Sequence, residues 1–167
     1  MPVRNPRELF VMLLSGLRQS TERWVKIYQE ISQQAQDADI KEALESRTWI
    51  SEKDLSAIDR CFQLLGEQPT QFSGRIQDAL VEDFRKELAE IQNPVAKTIF
   101  LLAKATNLSH IQVAAYEPLV EAADLSGHYA IGLLLETCLA DKLVFIERTR
   151  RLIKHIVATK AAAAKAA

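Results

Sequence analysis

Apolar residues recur along the chain at spacings of three and four, which is the pattern of helices that bury one face. The first such stretch begins at Asn5 and Pro6, where asparagine can cap a helix and proline suits its first turn. We expect the second to open at Asp39, with Glu42 three residues later as in a capping box, and to end at Gly66. The pattern therefore predicts long helices.

Three further helices are predicted after a loop that ends at Gly74. The third helix is short and amphipathic. The fourth begins at the capping residue Asn93, and Pro118 should kink or interrupt it, because proline removes a backbone hydrogen bond. The fifth runs from about Tyr129 past Val157 and is the most apolar. Its apolar residues include Leu133, Leu139, Leu143, Ile146, Ile153 and Ile156.

Four long helices and one short helix, joined by short connections, predict an all-α fold. The expected architecture is an antiparallel four-helix bundle with one additional short helix. We assign residues 1–157 to this single domain and residues 158–167 to an Ala/Lys-rich C-terminal tail. The tail has high helix propensity but no apolar face to pack, so we expect it to fray.

Composition narrows the class of protein. The net charge of -1 gives no general attraction to nucleic acid, and no apolar run is long enough to span a bilayer. The two cysteines, Cys61 and Cys138, lie in apolar helical stretches, which indicates buried free thiols. Without a signal-peptide pattern at the start, these features predict a cytoplasmic protein that binds neither nucleic acid nor membrane.

Helical bundles can hold two metal ions, with a Glu from each of two helices and Glu-x-x-His from the other two. None of the three histidines, His110, His128 and His155, follows a carboxylate by three positions. Glu136 lies in the most apolar helix, where a carboxylate is paired, protonated, a ligand, or at the helix edge in contact with water. His110 adjoins the apolar stripe of the fourth helix and has the same alternatives.

A resemblance to a known family rests on short sequence strings at residues 8–15, 40–44, 58–59, 79–83, 113–116 and 135–137. Over residues 8–153 the chain resembles the YciE/YciF-type ferritin-like proteins of bacteria. The resemblance implies a ferritin-like bundle, often a dimer, with a carboxylate-bridged two-metal site and a role in the stress response.

The ligand positions of that family can be carried over in register without gaps. They fall on Thr21, Trp49, Glu52, Ser109, Gln112, Ala140 and Asp141. Only Glu52 and Asp141 keep an acid, and two isolated carboxylates cannot replace a six-ligand set. The resemblance therefore implies a degenerate metal site.

Three hypotheses follow. The first is a non-catalytic, cofactor-free bundle that acts through association, as a homodimer or with another protein, with Trp24, Tyr28 and Trp49 in its core or interface. The second is a degenerate site that binds iron or manganese for oxidase or storage chemistry. Its ligands would be Glu52, Glu136, Asp141 and His110. The third is a bundle that holds an apolar ligand between its helices.

Overall fold

A computed structural model describes residues 3–71 and 75–166, with side chains up to Thr159. These residues form five helices and no strand. The helices are α1 (Pro6–Gln34), α2 (Ala38–Leu65), α3 (Arg75–Glu90), α4 (Pro94–Leu125) and α5 (Tyr129–Ala166). Helix α1 packs mainly on α2, and α4 on α5, while α1–α4 and α2–α5 contacts join the two pairs. The short α3 lies against α1 and α4. The predicted four long helices and one short helix are confirmed.

Capping side chains fix where the helices begin. The Asn5 side chain accepts a hydrogen bond from the Glu8 backbone, and Asn93 caps α4 in the same way. The expected cap of α2 was wrong. Asp37, not Asp39, accepts from the Ile40 backbone, because Asp37 keeps an extended backbone while Asp39 already belongs to the first turn.

Gly66 was predicted to end α2, and Pro118 was predicted to kink or interrupt α4. Gly66 ends α2 in the left-handed conformation, with φ of 67°, as predicted. Helix α4 continues through Pro118. The proline removes only one backbone hydrogen bond, and the buried side chains of Tyr116 and Leu119 anchor the turns on either side of it. The predicted loop end at Gly74 lies outside the described residues.

The core consists of two apolar clusters stacked along the bundle. One includes Leu14, Phe62 and Leu135, and the other includes Trp24, Leu44 and Leu102. Each long helix passes from one cluster to the other through a short polar interval. The buried polar residues of these intervals are Ser20 and Thr21 on α1, Arg47, Thr48, Ser51 and Asp54 on α2, Ser109 and Gln112 on α4, and Lys142 on α5. A polar layer therefore divides the core at mid-height.

Some large apolar residues face outward. Leu133 and Leu143 of α5 are 66% and 49% exposed, and Trp49 of α2 is 64% exposed. The buried face of α5 instead follows Ile131, Leu135, Cys138, Lys142, Phe145 and Thr149. Helix α5 carries apolar residues on all of its faces, so hydrophobicity alone did not identify the side that is buried.

No helix in the described part of the chain is both long and apolar enough to cross a membrane. The backbone of α5 is helical to Ala166, while the side chains of residues 160–167 lie outside the described part. The division into residues 1–157 and a fraying tail, residues 158–167, stays a prediction.

Candidate functional site

The polar layer contains a charged centre, which we define as Arg47, Asp54, Gln112 and Lys142. Each of these residues is at most 1% exposed. Arg47 and Asp54 lie two turns apart on the inward face of α2, while α4 contributes Gln112 and α5 contributes Lys142. Three helices therefore meet at charged groups that water does not reach.

Asp54 joins the two basic groups. The Lys142 ammonium donates to Asp54 Oδ2 at 2.7 Å and to the backbone carbonyl of Cys138 at 3.1 Å. Arg47 Nη1 lies 3.6 Å from the same Asp54 oxygen, and its Nη2 donates to Gln112 Oε1 at 2.7 Å. One carboxylate thus serves two cations, and the contacts connect α2, α4 and α5.

Aromatic rings cover the cations. The Arg47 guanidinium carbon lies 4.9 Å from the Tyr28 ring centre and 5.6 Å from that of Phe145. The Lys142 nitrogen lies 4.1 Å from the Tyr116 ring centre. Ring faces attract cations, so these contacts offset part of the free energy lost when the charges leave water. Tyr28 also hydrogen-bonds Ser109 at 3.0 Å, which connects α1 to the layer.

Some buried donors in the layer have no hydrogen-bond partner among the described residues. They are Arg47 Nε and Nη1, Gln112 Nε2 and the Tyr116 hydroxyl. Arg47 Nη1 still has its electrostatic contact with Asp54. An unpaired buried donor typically costs about 1–3 kcal/mol of stability. The charged centre is therefore a costly feature, and apolar packing in the two clusters must supply most of the stability.

The acid–base behaviour of the layer follows from burial. Burial lowers the pKa of Lys142, although Asp54 opposes that shift. Burial raises the pKa of the Tyr28 and Tyr116 hydroxyls, and it raises the pKa of the Cys138 thiol to about 12. Cys138 is therefore a thiol at neutral pH, which is the form that does not attack electrophiles.

The structure separates the four candidate metal ligands. Glu52, Glu136 and His110 are exposed and Asp141 is partly exposed, whereas the four residues of the charged centre are buried. Across the described ranges, no group of three or more His, Cys, Asp or Glu residues is placed to hold a metal ion. The side chains proposed as ligands therefore do not converge.

Some of the ligand positions carried over from the family are buried and others are exposed. Thr21, Ser109 and Gln112 are buried in the polar layer. Trp49 and Ala140 are exposed. The inward positions of α2 and α5 are instead those of Arg47, Ser51 and Asp54 and of Cys138 and Lys142.

The layer's chemistry does not fit the two-metal site that the resemblance implied. Asp54 is the one acidic side chain buried in the described residues, and it is already shared by Lys142 and Arg47. Divalent iron or manganese needs several anionic or neutral donors and would be repelled by two buried cations.

Sequence reasoning missed Arg47, Asp54 and Lys142. A signal was present, because Leu44, Arg47, Ser51, Asp54 and Ile58 follow one another at spacings of three and four. Lys142 likewise stands midway on the face from Cys138 to Phe145. Charged residues are rarely fully buried, so a sequence reading assigns them to the surface. The spacing alone would have assigned Arg47, Asp54 and Lys142 to the buried face.

Comparison with known proteins gives a family and a fold. The profile of a family described as a domain of unknown function, DUF892, matches residues 5–162. No curated protein sequence is similar enough to count as a match.

Three solved structures resemble the chain. The Escherichia coli stress protein YciF has a TM-score of 0.86 at 16% identity, over 93% of this chain and 98% of that one. YcfI from Rhodopseudomonas palustris, provisionally described as a structural protein, has a TM-score of 0.84 at 21% identity, over 89% and 94%. A Xanthomonas campestris protein has a TM-score of 0.72 at 15% identity, over 96% and 99%. These likenesses confirm the expected all-α, ferritin-like bundle.

Proposed function

The chain belongs to the DUF892 family, and from that premise we propose that it is a metal-free, non-catalytic ferritin-like bundle that acts as a structural or interaction protein. We place it in the cytoplasm as a homodimer, with a role in stress suggested by the description of YciF. The description of YcfI agrees with a structural role.

One observation carries the proposal. Arg47 and Lys142 place two basic groups against Asp54, the sole buried acid of the described chain, at the point where the four long helices meet. In a site built for divalent cations, carboxylates would supply negative charge there. Here the protein supplies its own cations, and the Lys142–Asp54 ion pair joins α5 to α2 in the core.

The test is metal analysis of the full chain purified from cells grown with added iron and manganese. We expect far less than one metal ion per chain. Glu52→Ala and Asp141→Ala remove the acids that the family register retains, and they should leave that value unchanged. Asp54→Asn removes the buried acid, and the metal content per chain should be unchanged in this variant as well.

A different result would favour the alternative function. One or two iron or manganese ions per chain, lost in both Glu52→Ala and Asp141→Ala, would overturn the proposal. The protein would then be a metal oxidase or storage protein with His110 and Glu136 as further candidate ligands. An apolar ligand within the bundle is disfavoured, because the polar layer divides the space that such a ligand would fill.

A further inference from the structure

The outer surface of the α4–α5 pair carries acidic and apolar side chains that no described part of the chain covers. We propose that this surface is the docking site for a basic amphipathic helix of a partner protein. We call it the acidic face and define it by Glu117, Glu121 and Asp124 of α4 with Tyr129, Leu133 and Glu136 of α5. The inference rests on the proposed function, because it names the kind of protein with which the bundle interacts.

The two helices bring these residues to neighbouring edges. Gly132 of α5 lies directly against Asp124 of α4, because a Cβ on that glycine would overlap the Asp124 carboxylate. Glu117 lies seven residues before Asp124, and Glu136 lies four residues after Gly132, so each shares an edge of its helix with the contact. The helices run antiparallel from there, which places Glu117 within about one turn of Glu136. The carboxylates therefore belong to one continuous surface.

The carboxylates of the acidic face have no cation to pair with. All four are exposed, and none of them forms an ion pair or a hydrogen bond within the part of the chain that the structure describes. Residues 105–147 contain a single Lys or Arg, Lys142, and that residue is buried in the charged centre. Elsewhere exposed acids do have partners, as in the Glu82–Lys86 pair. The negative charge of this face is thus available to another molecule.

Large apolar side chains lie beside the carboxylates. Leu125, Tyr129 and Leu133 are 88%, 72% and 66% exposed, and Val144 farther along α5 is exposed as well. Contiguous exposed apolar surface of this kind is typical of interaction sites. The distance from Tyr129 to Val144 is about 22 Å along the helix, which matches a partner helix of about four turns. Such a helix can place its apolar side on these residues and its charged side toward the carboxylates.

Charge determines which occupant fits. A second copy that presented the same face would bring carboxylates together, and an anionic membrane surface would repel them. A metal ion does not fit either, because no group of acids among the described residues is placed to hold one. A helix with Lys or Arg beside its apolar residues complements both the charge and the apolar surface. The homodimer that we propose must therefore use another surface.

The test uses a synthetic helical peptide of about 18 residues, with leucines on one side and lysines on the other. Binding of the labelled peptide to the full chain is followed by fluorescence anisotropy. The triple variant Glu117→Gln with Glu121→Gln and Glu136→Gln should weaken binding by about tenfold, because three exposed ion pairs are lost. Leu133→Ala keeps the charges and should weaken binding by about threefold or more, because apolar contact is lost.

Helix α2 supplies matched controls. Glu42→Gln with Glu45→Gln and Glu52→Gln removes three exposed carboxylates outside the acidic face and changes the net charge by the same amount. Trp49→Ala removes a large exposed apolar side chain outside the face. Both control variants should bind the peptide as the original chain does. Circular dichroism spectra that coincide with that of the original chain show that each variant is folded.

Three results would overturn the docking site. One is equal weakening by the acidic-face and α2 triple variants, which would show general charge attraction. Another is equal binding of a peptide with the same composition in scrambled order, which would remove the apolar contact. The third is no binding of the amphipathic peptide, and a chain that still contains far less than one metal ion would then remain the proposed metal-free bundle. If the acidic-face triple variant instead changed self-association, the occupant would be a second copy and the choice of a basic partner would be wrong.

Discussion

At the scale of single residues, Asp54 holds the charged centre together. It compensates Lys142 at 2.7 Å and Arg47 at 3.6 Å, whereas those two basic groups only repel each other. Losing one partner of a buried ion pair leaves an uncompensated charge, which is much more damaging than never having the pair. The three charged side chains are therefore not equivalent, although all three are buried.

This asymmetry predicts an order of stabilities. Asp54→Asn should lower the free energy of unfolding by about 3–5 kcal/mol, because it leaves two buried cations without a carboxylate. Lys142→Met should cost less, because Arg47 and Asp54 still compensate each other. Urea unfolding followed by circular dichroism measures both changes.

Asp59→Asn is the control on the same helix. Asp59 pairs with Arg18 in a partly exposed contact, and such pairs contribute up to about 1 kcal/mol. If Asp54→Asn were no more costly than Asp59→Asn, the charged centre would not depend on that carboxylate.

At the scale of elements, the helix starts show how closely a cap can be located from sequence. Asp37 and Asp39 are both acids near the start of α2, and both favour the positive end of the helix dipole. Only Asp37 accepts a hydrogen bond, from the Ile40 backbone at 3.1 Å. The capping-box spacing from Asp39 to Glu42 was therefore present in the sequence without being used as a cap.

The two acids allow the hydrogen bond to be measured separately from the charge. Asp37→Ala should lower the free energy of unfolding by about 1 kcal/mol, because the Ile40 N–H loses its acceptor. Asp39→Ala loses the same charge but no hydrogen bond and should cost a few tenths of a kcal/mol. Thermal unfolding of both variants gives the comparison, and equal losses would show that charge alone accounts for the start of α2.

At the scale of the whole molecule, the sequence predicted the helices better than their orientation. Apolar periodicity predicted five helices, and Gly66, Asn5 and Asn93 located their ends. The inward side of α5 could not be predicted, because which face is buried depends on packing between helices. The charged centre was missed for the same reason, since Lys142 is buried only when α2 brings Asp54 to it.

Burial also makes the stability of the whole molecule depend on pH. It raises the pKa of both the Cys61 and Cys138 thiols from an ordinary value of 9.0 to about 12. Between pH 9 and 12 the folded chain therefore keeps two protons that the unfolded chain releases, and stability must fall as pH rises. Tyr28 and Tyr116, whose pKa values are also raised, act in the same direction above their ordinary value of 10.0.

Lys142 acts in the opposite direction. Its pKa is lowered, so raising the pH toward its ordinary value of 10.5 relieves the cost of burying its charge.

Four groups oppose one, and we expect a net loss of stability above pH 9, with each thiol contributing no more than about 1.4 kcal/mol per pH unit. Urea unfolding at pH 8, 9, 10 and 11 measures the slope. Cys61→Ala should make the slope shallower regardless of its effect on absolute stability, because one of the proton-holding groups is gone. A slope unchanged by that substitution would show that the Cys61 thiol titrates alike in the folded and unfolded chains.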